Sequence, residues 1–296
     1  VRLALIANPR SGTAPEPAEI CALLEADGAA VSCVAIDAIA DEDGGQLTDG
    51  ALNALRAAGA PDRIVVAGGD GSIGPAALCA ARLRIPLAVI AVGTANDFAR
   101  AKQLPRDVAG ACALARDPRA TTAHAELATA GVRPFVNSAA AGLSVSAARA
   151  AAPLKSRLGP LAYTLGALRA GLSASALRCT VACDGEQHFD GSAWQVVIAV
   201  TGAFGGGSAT GGTRTSDGLL DVAVVPAGLR AGLIWRAVGM RTGRLTEQRD
   251  VAHERGRVID VQIPAGAAFN VDGETCRCDP ARFTIREGGF DVVVSS

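Results

Sequence analysis

Up to Thr121 the chain alternates short apolar runs with stretches of helical spacing. Residues 2–7, 31–35, 63–67 and 87–92 read as strands, and 18–26, 49–58 and 75–83 as helices. The strands are apolar at nearly every position, not at alternate ones, so both of their faces are covered. That predicts a parallel sheet between layers of helices, whose ligands bind beyond the carboxyl ends of the strands. From Thr121 onward strand patterns and hairpin signals dominate, with Asp184-Gly185, Asp217-Gly218 and Asp272-Gly273 as turn dipeptides. Helical insertions are expected at 144–151, 160–172 and 229–242. The fold class is therefore α/β: an α/β domain over 1–122 and a mainly β domain over 123–296, with the active site expected in a cleft between them. No internal repeat or long low-complexity linker interrupts this pattern.

Composition narrows the functions that such a fold can serve. A chain of 296 residues suits two domains. The formal charge of −1, without runs of like charge, indicates no nucleic-acid groove. Lysine occurs only at Lys102 and Lys155, so arginine carries most of the positive charge. The apolar run Leu3-Ala4-Leu5-Ile6-Ala7 is too short for a signal peptide, and no run approaches the roughly 18 apolar residues of a transmembrane helix. A soluble, cytoplasmic protein is expected. Of the eight cysteines, Cys21, Cys33, Cys79 and Cys112 lie singly in apolar segments and read as small hydrophobes of the core. None of His124, His188 and His253 has zinc-motif spacing to Cys276-x-Cys278.

The chemistry concentrates in Val65-Val66-Ala67-Gly68-Gly69-Asp70-Gly71-Ser72-Ile73-Gly74, a strand that runs into four glycines around one carboxylate. Gly69-x-Gly71-x-x-Gly74 fits the dinucleotide fingerprint, but the acid that should hold a ribose at the end of the next strand is missing from Ile90-Ala91-Val92-Gly93-Thr94. A phosphate-binding turn is the alternative: glycine N–H groups face the anion, and a helix starting near Ile73 or Pro75 aims its positive end at it. Asp70 would repel phosphate unless a cation or an incoming hydroxyl lies between them, which suggests Mg2+ coordination or a base for phosphoryl transfer. No Walker A sequence occurs in the chain.

Three further segments join this one: Asn8-Pro9-Arg10-Ser11-Gly12, Gly93-Thr94-Ala95-Asn96-Asp97-Phe98-Ala99-Arg100 and Val271-Asp272-Gly273-Glu274. In this order, N-P-x-S-G, G-G-D-G-[ST], G-T-x-N-D-F-A-R and D-G-E resemble the diacylglycerol kinase catalytic-domain family, which includes bacterial lipid kinases, sphingosine kinases and ceramide kinases. Gly159-Pro160-Leu161-Ala162-Tyr163, Gly205-Gly206-Gly207 and Asp217-Gly218-Leu219-Leu220-Asp221 extend the resemblance through the second part. It implies a three-layer α/β domain resembling that of NAD kinases, a sandwich-like C-terminal domain, and ATP with Mg2+ as cofactors. The implied acceptor is a lipid hydroxyl presented at a membrane surface, so peripheral membrane contact is expected, and a homodimer is left open.

Carried over by motif, Asn8, Ser11 and Gly12 contact the nucleotide, and Gly68, Gly69, Gly71 and Ser72 line its phosphates. Thr94, Asn96 and Asp97 sit beside them. Asp70 and Asp272 are the catalytic acids, either of which can be the base or hold the metal, and Glu274 joins them. Asp217 and Asp221 read equally as turn formers or as ligands of a structural Mg2+. This sequence departs from the family pattern at Ser72 (usually Thr), Val92 (usually Pro), Ala95 (often Gly), Glu126 (often Asp) and in Thr201-Gly202-Ala203-Phe204, which lacks an Asn before the glycines. Plainer roles stand beside the functional ones: Asn96 as N-cap of a helix over 97–103, and Asp272-Gly273 as a hairpin turn. Phosphorylation of a water-soluble acceptor, as in NAD kinase, and non-catalytic ligand sensing are the other functions considered.

Overall fold

The structure is a computed structural model and describes residues 1–9, 11, 15–36, 51–57, 61–143, 145–146, 175–201, 203–204, 208–209, 217–229, 233, 236, 239, 242, 244–277 and 281–295. Gly12, Gly205-Gly206-Gly207, the expected helix at 160–172 and most of those at 144–151 and 229–242 lie outside these residues. The chain divides into two compact units, Val1–Leu127 with Val132–Val136 and Arg286–Ser296, and Ala128–Gly131 with Asn137–Ile285. The first unit thus draws on three stretches, where the sequence reading placed one cut after residue 122.

In the first unit, β1 (Arg2–Ala7), α1 (Pro17–Glu25), β2 (Ala30–Ala35), α2 (Ala51–Ala57), β3 (Arg63–Gly68), α3 (Asp70–Leu83) and β4 (Leu87–Ala91) follow one another. Then come α4 (Asp97–Ala101), α5 (Val108–Arg116), β5 (Thr121–Ala130) and β6 (Arg133–Phe135). Strands β2, β1, β3 and β4 lie side by side in parallel, with Ile6 opposite both Val34 and Val66, and Val66 opposite Val89. The chain's final strand joins β4 in parallel at Val292 and Leu87.

Alternate residues of these strands point into two separate cores. Ala4, Ile6, Ile64, Val66 and Val89 pack with Ile73, Ala76, Ala77 and Ala80 of α3 and with Phe98. Leu3, Leu5, Val65, Ala67, Ala88 and Ile90 pack instead with Ile20 and Leu24 of α1 and Ala111, Cys112 and Ala115 of α5. Both faces of the sheet are therefore dry, which is why its strands are apolar at consecutive positions.

The second unit is built almost wholly from strands: β7 (Ser138–Gly142), β8 (Leu177–Cys183), β9 (Glu186–Ala199), β10 (Ala203–Phe204), β11 (Ser208–Ala209) and β12 (Leu220–Pro226). β13 (Ala252–Gly256), β14 (Val258–Gln262), β15 (Phe269–Val271) and β16 (Glu274–Cys276) follow, and β17 (Ala281–Val294) starts in this unit and ends in the first. The neighbours run β16-β15-β7-β9-β8-β14-β17, with β12 between β9 and β13. Described pairings within this unit are antiparallel. Two of the expected turn dipeptides form two-residue hairpins with positive φ at both positions, Asp184 and Gly185 at 49° and 88°, Asp272 and Gly273 at 46° and 91°. Trp194, Ala223, Val225, Leu245 and Val251 pack together in one core cluster.

Candidate active site

At the carboxyl ends of β1, β3 and β4 the motif-bearing turns interlock through side chains and backbone. Asn8 donates its backbone N–H to the Ala67 carbonyl at 2.9 Å and its side-chain Nδ2 to Ser72 Oγ at 2.9 Å. Ser11 Oγ accepts the Gly69 N–H at 3.1 Å. The Gly69 N–H, expected to face phosphate, is thus taken up by Ser11, and Asn8 and Ser72 hold each other. The turn after β1 buttresses the glycine turn after β3. Thr94 is exposed beside them on the turn after β4.

Helix α3 begins at Asp70, not at Ile73 or Pro75, so Gly71, Ser72 and Gly74 are helical. Propensity argues against a helix that opens with two glycines in five residues, but packing requires Gly74, and Gly68 just before the helix, to be small. A Cβ on Gly74 would stand 2.4 Å from the Pro134 carbonyl oxygen of β6, and one on Gly68 2.7 Å from Ser72 Oγ. A Cβ on Gly93 would stand 2.6 Å from Gly69 Cα, so the turns after β3 and β4 meet backbone to backbone. None of Gly68, Gly69, Gly71 and Gly74 has positive φ. Close approach, not unusual backbone geometry, is what these glycines provide.

Asp70 links the two turns. Its Oδ2 accepts the Asp97 N–H at 3.2 Å and its Oδ1 the Phe98 N–H at 3.0 Å, so this carboxylate covers the first orphan N–H groups of α4. Local capping preference points instead to Asn96 for that role. Asn96 does occupy the cap position, with left-handed φ of 51° and ψ of 44°, but its side chain makes no capping bond. It turns back to donate Nδ2 to the Ala91 carbonyl at 3.3 Å. Asn96 Oδ1 is buried with no hydrogen-bond partner. Asp97, 5% exposed, pairs with Arg100 one turn along α4.

Nearby, the Lys102 ammonium donates to the His124 carbonyl at 3.2 Å. Burial lowers its pKa from the ordinary lysine value, and the charge of the buried Glu126 works in the opposite direction.

In the second unit Asp272 sits in the β15–β16 turn, 8% exposed. One oxygen, Oδ1, accepts the N–H groups of both Asn137 and Ser138 at 3.0 Å, while the Asp272 N–H reaches the Ser138 carbonyl at 2.9 Å. The hairpin turn expected here and the acid are thus one object: positive φ lets the carboxylate fold onto the start of β7. Asn270 Oδ1 accepts the Gly273 N–H at 3.0 Å and tightens the same turn. Glu274 is exposed on β16.

Asp217 and Asp221 lie elsewhere in that unit, against a cation of the protein itself. Asp221, 1% exposed, accepts from His253 Nε2 at 2.8 Å and faces Arg255 Nε at 3.2 Å, a charge contact without hydrogen-bond alignment. Arg255 also bonds Asp217, which raises the arginine's pKa. Asp217 Oδ1 accepts the Leu219 N–H at 3.3 Å, a turn-forming role. Among the described residues no three acidic, histidine or cysteine side chains gather as a metal site. A guanidinium lies beside both carboxylates, and Asp221 Oδ2 is buried with no hydrogen-bond partner among the described residues. Sequence reasoning missed Arg255 and His253. The signal was register: Arg255 stands directly opposite Asp221 across β12 and β13, and His253 one diagonal position away.

Residues 2–127 match the diacylglycerol kinase catalytic domain, and residues 137–294 match the YegS C-terminal NAD kinase beta sandwich-like domain. The chain belongs to the diacylglycerol kinase catalytic-domain family. Among relatives, a probable lipid kinase YegS-like protein of Pseudomonas fluorescens is 31% identical over 239 residues, 78% of this chain and 76% of that one. A diacylglycerol kinase of Staphylococcus aureus is 28% identical over 235 residues, 78% and 74% of the two chains. The crystal structure of a diacylglycerol kinase from Bacillus anthracis superimposes with a TM-score of 0.73 at 22% identity, covering 99% of this chain and 97% of that one. The two-part architecture, α/β followed by a β sandwich-like domain, is therefore that of the family. Among the described residues no helix is long and apolar enough to cross a bilayer.

Proposed function

We propose that this family member is an ATP-dependent lipid kinase that transfers the γ-phosphoryl group to the hydroxyl of a lipid alcohol of the diacylglycerol, sphingoid-base or ceramide class. The observation that carries the reading is the Asp70 bridge: one carboxylate opens α3 and caps α4, bringing the two helix starts of the G-G-D-G-S and G-T-A-N-D motifs to one place. A nucleotide fits there on two counts. The 14-residue α3 offers the positive end of its dipole to an anion. The buried, unbonded Oδ1 of Asn96, beside Gly93, is an acceptor that a ligand's amino or hydroxyl group would satisfy.

When bound, ATP supplies the phosphoryl group and Mg2+ the charge that balances it. The residues of the first unit bind and orient the nucleotide. Asn8 and Ser11 hold the glycine turn in position through Ser72 and Gly69. Asp70 keeps α4 in register and presents negative charge where a metal-bound phosphate needs it. Gly71 and Thr94 line the approach. In the second unit, Asp272 is the acid proposed to take the acceptor hydroxyl's proton, with Glu274 beside it in sequence as a further polar contact. The enzyme acts at the surface of a membrane that holds its lipid. Supply of γ-labelled ATP with a panel of lipid alcohols tests the reading, with label expected in the organic phase; label found only in water-soluble NADP would move the acceptor to NAD.

A further inference from the structure

Helix α1 and strand β2 each carry one cysteine, and the two sulfurs meet. Cys21 Sγ and Cys33 Sγ lie 2.7 Å apart, within reach of an S–H···S contact. The sequence reading treated both as core hydrophobes, but Cys33 is exposed and Cys21 half-buried, unlike the buried Cys79, Cys112, Cys179 and Cys183. The frame around the pair is well fixed. Ile20 and Leu24 anchor α1 in the core, and Cys33 is held opposite Leu5 in the β1–β2 ladder. Between them, Arg116 of α5 pairs with Asp27 at 3.0 Å and donates to the Leu23 carbonyl at 3.1 Å.

We propose that Cys21 and Cys33 form a reversible disulfide when the protein meets hydrogen peroxide, a redox site that fastens α1 to the edge strand β2. The sulfur of the exposed Cys33, as thiolate, attacks one peroxide oxygen. The O–O bond breaks, hydroxide leaves, and Cys33 becomes a sulfenic acid. Cys21 then attacks that sulfur; the S–S bond forms, the S–O bond breaks, and the departing oxygen leaves as water with the Cys21 proton. Two thiols lose two electrons, one peroxide gains them, and two waters result once the hydroxide has taken up the Cys33 proton. The order follows from the environment. Burial and the neighbouring Cys33 and Glu25 push the Cys21 thiol up to about 12, so it keeps its proton and is not the sulfur that meets peroxide first.

The test uses the intact, folded protein. It is treated with peroxide, its remaining thiols are alkylated, and it is cut at acidic residues, since Glu25 and Asp27 lie between the two cysteines whereas no Lys or Arg does. The expected result is one pair of peptides joined through Cys21 and Cys33, lighter by two hydrogens than the separate thiols and parted again by dithiothreitol. Cys33→Ser should abolish that product and leave Cys21 open to alkylation. Full alkylation of both cysteines in treated wild-type protein, or oxidation of Cys33 to its sulfinic acid with Cys21 still a thiol, overturns the proposal.

Discussion

The carboxylate of Asp70 accepts the backbone N–H of Phe98 at 3.0 Å, so the acid at the heart of the glycine turn is also the cap of the helix after the next strand. Asp70→Asn keeps one acceptor oxygen but turns an amide NH2 toward the second N–H. It should cost about 1–2 kcal/mol of stability, the usual cost of a lost cap with an unmatched donor. Hydrogen exchange resolved to single amides should show faster exchange at Asp97 and Phe98. Unchanged protection at both would mean that Asp70 does not hold α4.

Asp272→Asn is the cleaner probe of chemistry. Its Oδ1 takes both N–H bonds from Asn137 and Ser138, and an amide oxygen with two lone pairs can do the same. The fold should persist, while loss of a general base lowers turnover by roughly 10²- to 10⁴-fold with ATP affinity nearly intact. Near-normal turnover in this variant would remove Asp272 from the base's role.

The glycines divide by what a methyl would strike. Gly74→Ala should destabilise by about 1–3 kcal/mol in chemical denaturation, because its Cβ meets the Pro134 carbonyl at 2.4 Å. Gly69→Ala meets Gly93 Cα at 3.4 Å and should stay folded, yet lose ATP affinity in calorimetry. Equal affinity in Gly69→Ala and wild type would contradict a phosphate path along this turn.

Arg255→Ala should be costly for a different reason. Asp221 is 1% exposed, and removal of the guanidinium leaves its charge with His253 alone, an expected loss of about 3 kcal/mol. Thermal unfolding measures this. Stability unchanged from wild type would show that the carboxylates are balanced by something other than Arg255.

The parallel sheet was legible because strands buried on both faces leave unbroken apolar runs, and β1, β3 and β4 lie where those runs are. The start of α3 was not. Gly74 reads locally as part of a turn, and only the Pro134 carbonyl, far along the chain on β6, explains why the helix carries a glycine there. The cap of α4 was misread for a similar reason: the sequence window around Asn96 holds a good capping residue, whereas Asp70 comes from 27 residues upstream. Arg255 against Asp221 and Cys21 against Cys33 depend on strand pairing and helix docking, which no local pattern encodes. Motif order located the candidate acids, but their partners are tertiary facts.

Transfer of label from γ-labelled ATP to lipid is the most direct test of the central claim. Wild-type protein, ATP, Mg2+ and mixed micelles that carry diacylglycerol, a sphingoid base or ceramide would be incubated and extracted with organic solvent. The account predicts labelled phospholipid from at least one of these acceptors, with Asp272→Asn lower by roughly 10²-fold or more. Organic phases without label for every lipid class, from protein that binds ATP, would contradict it.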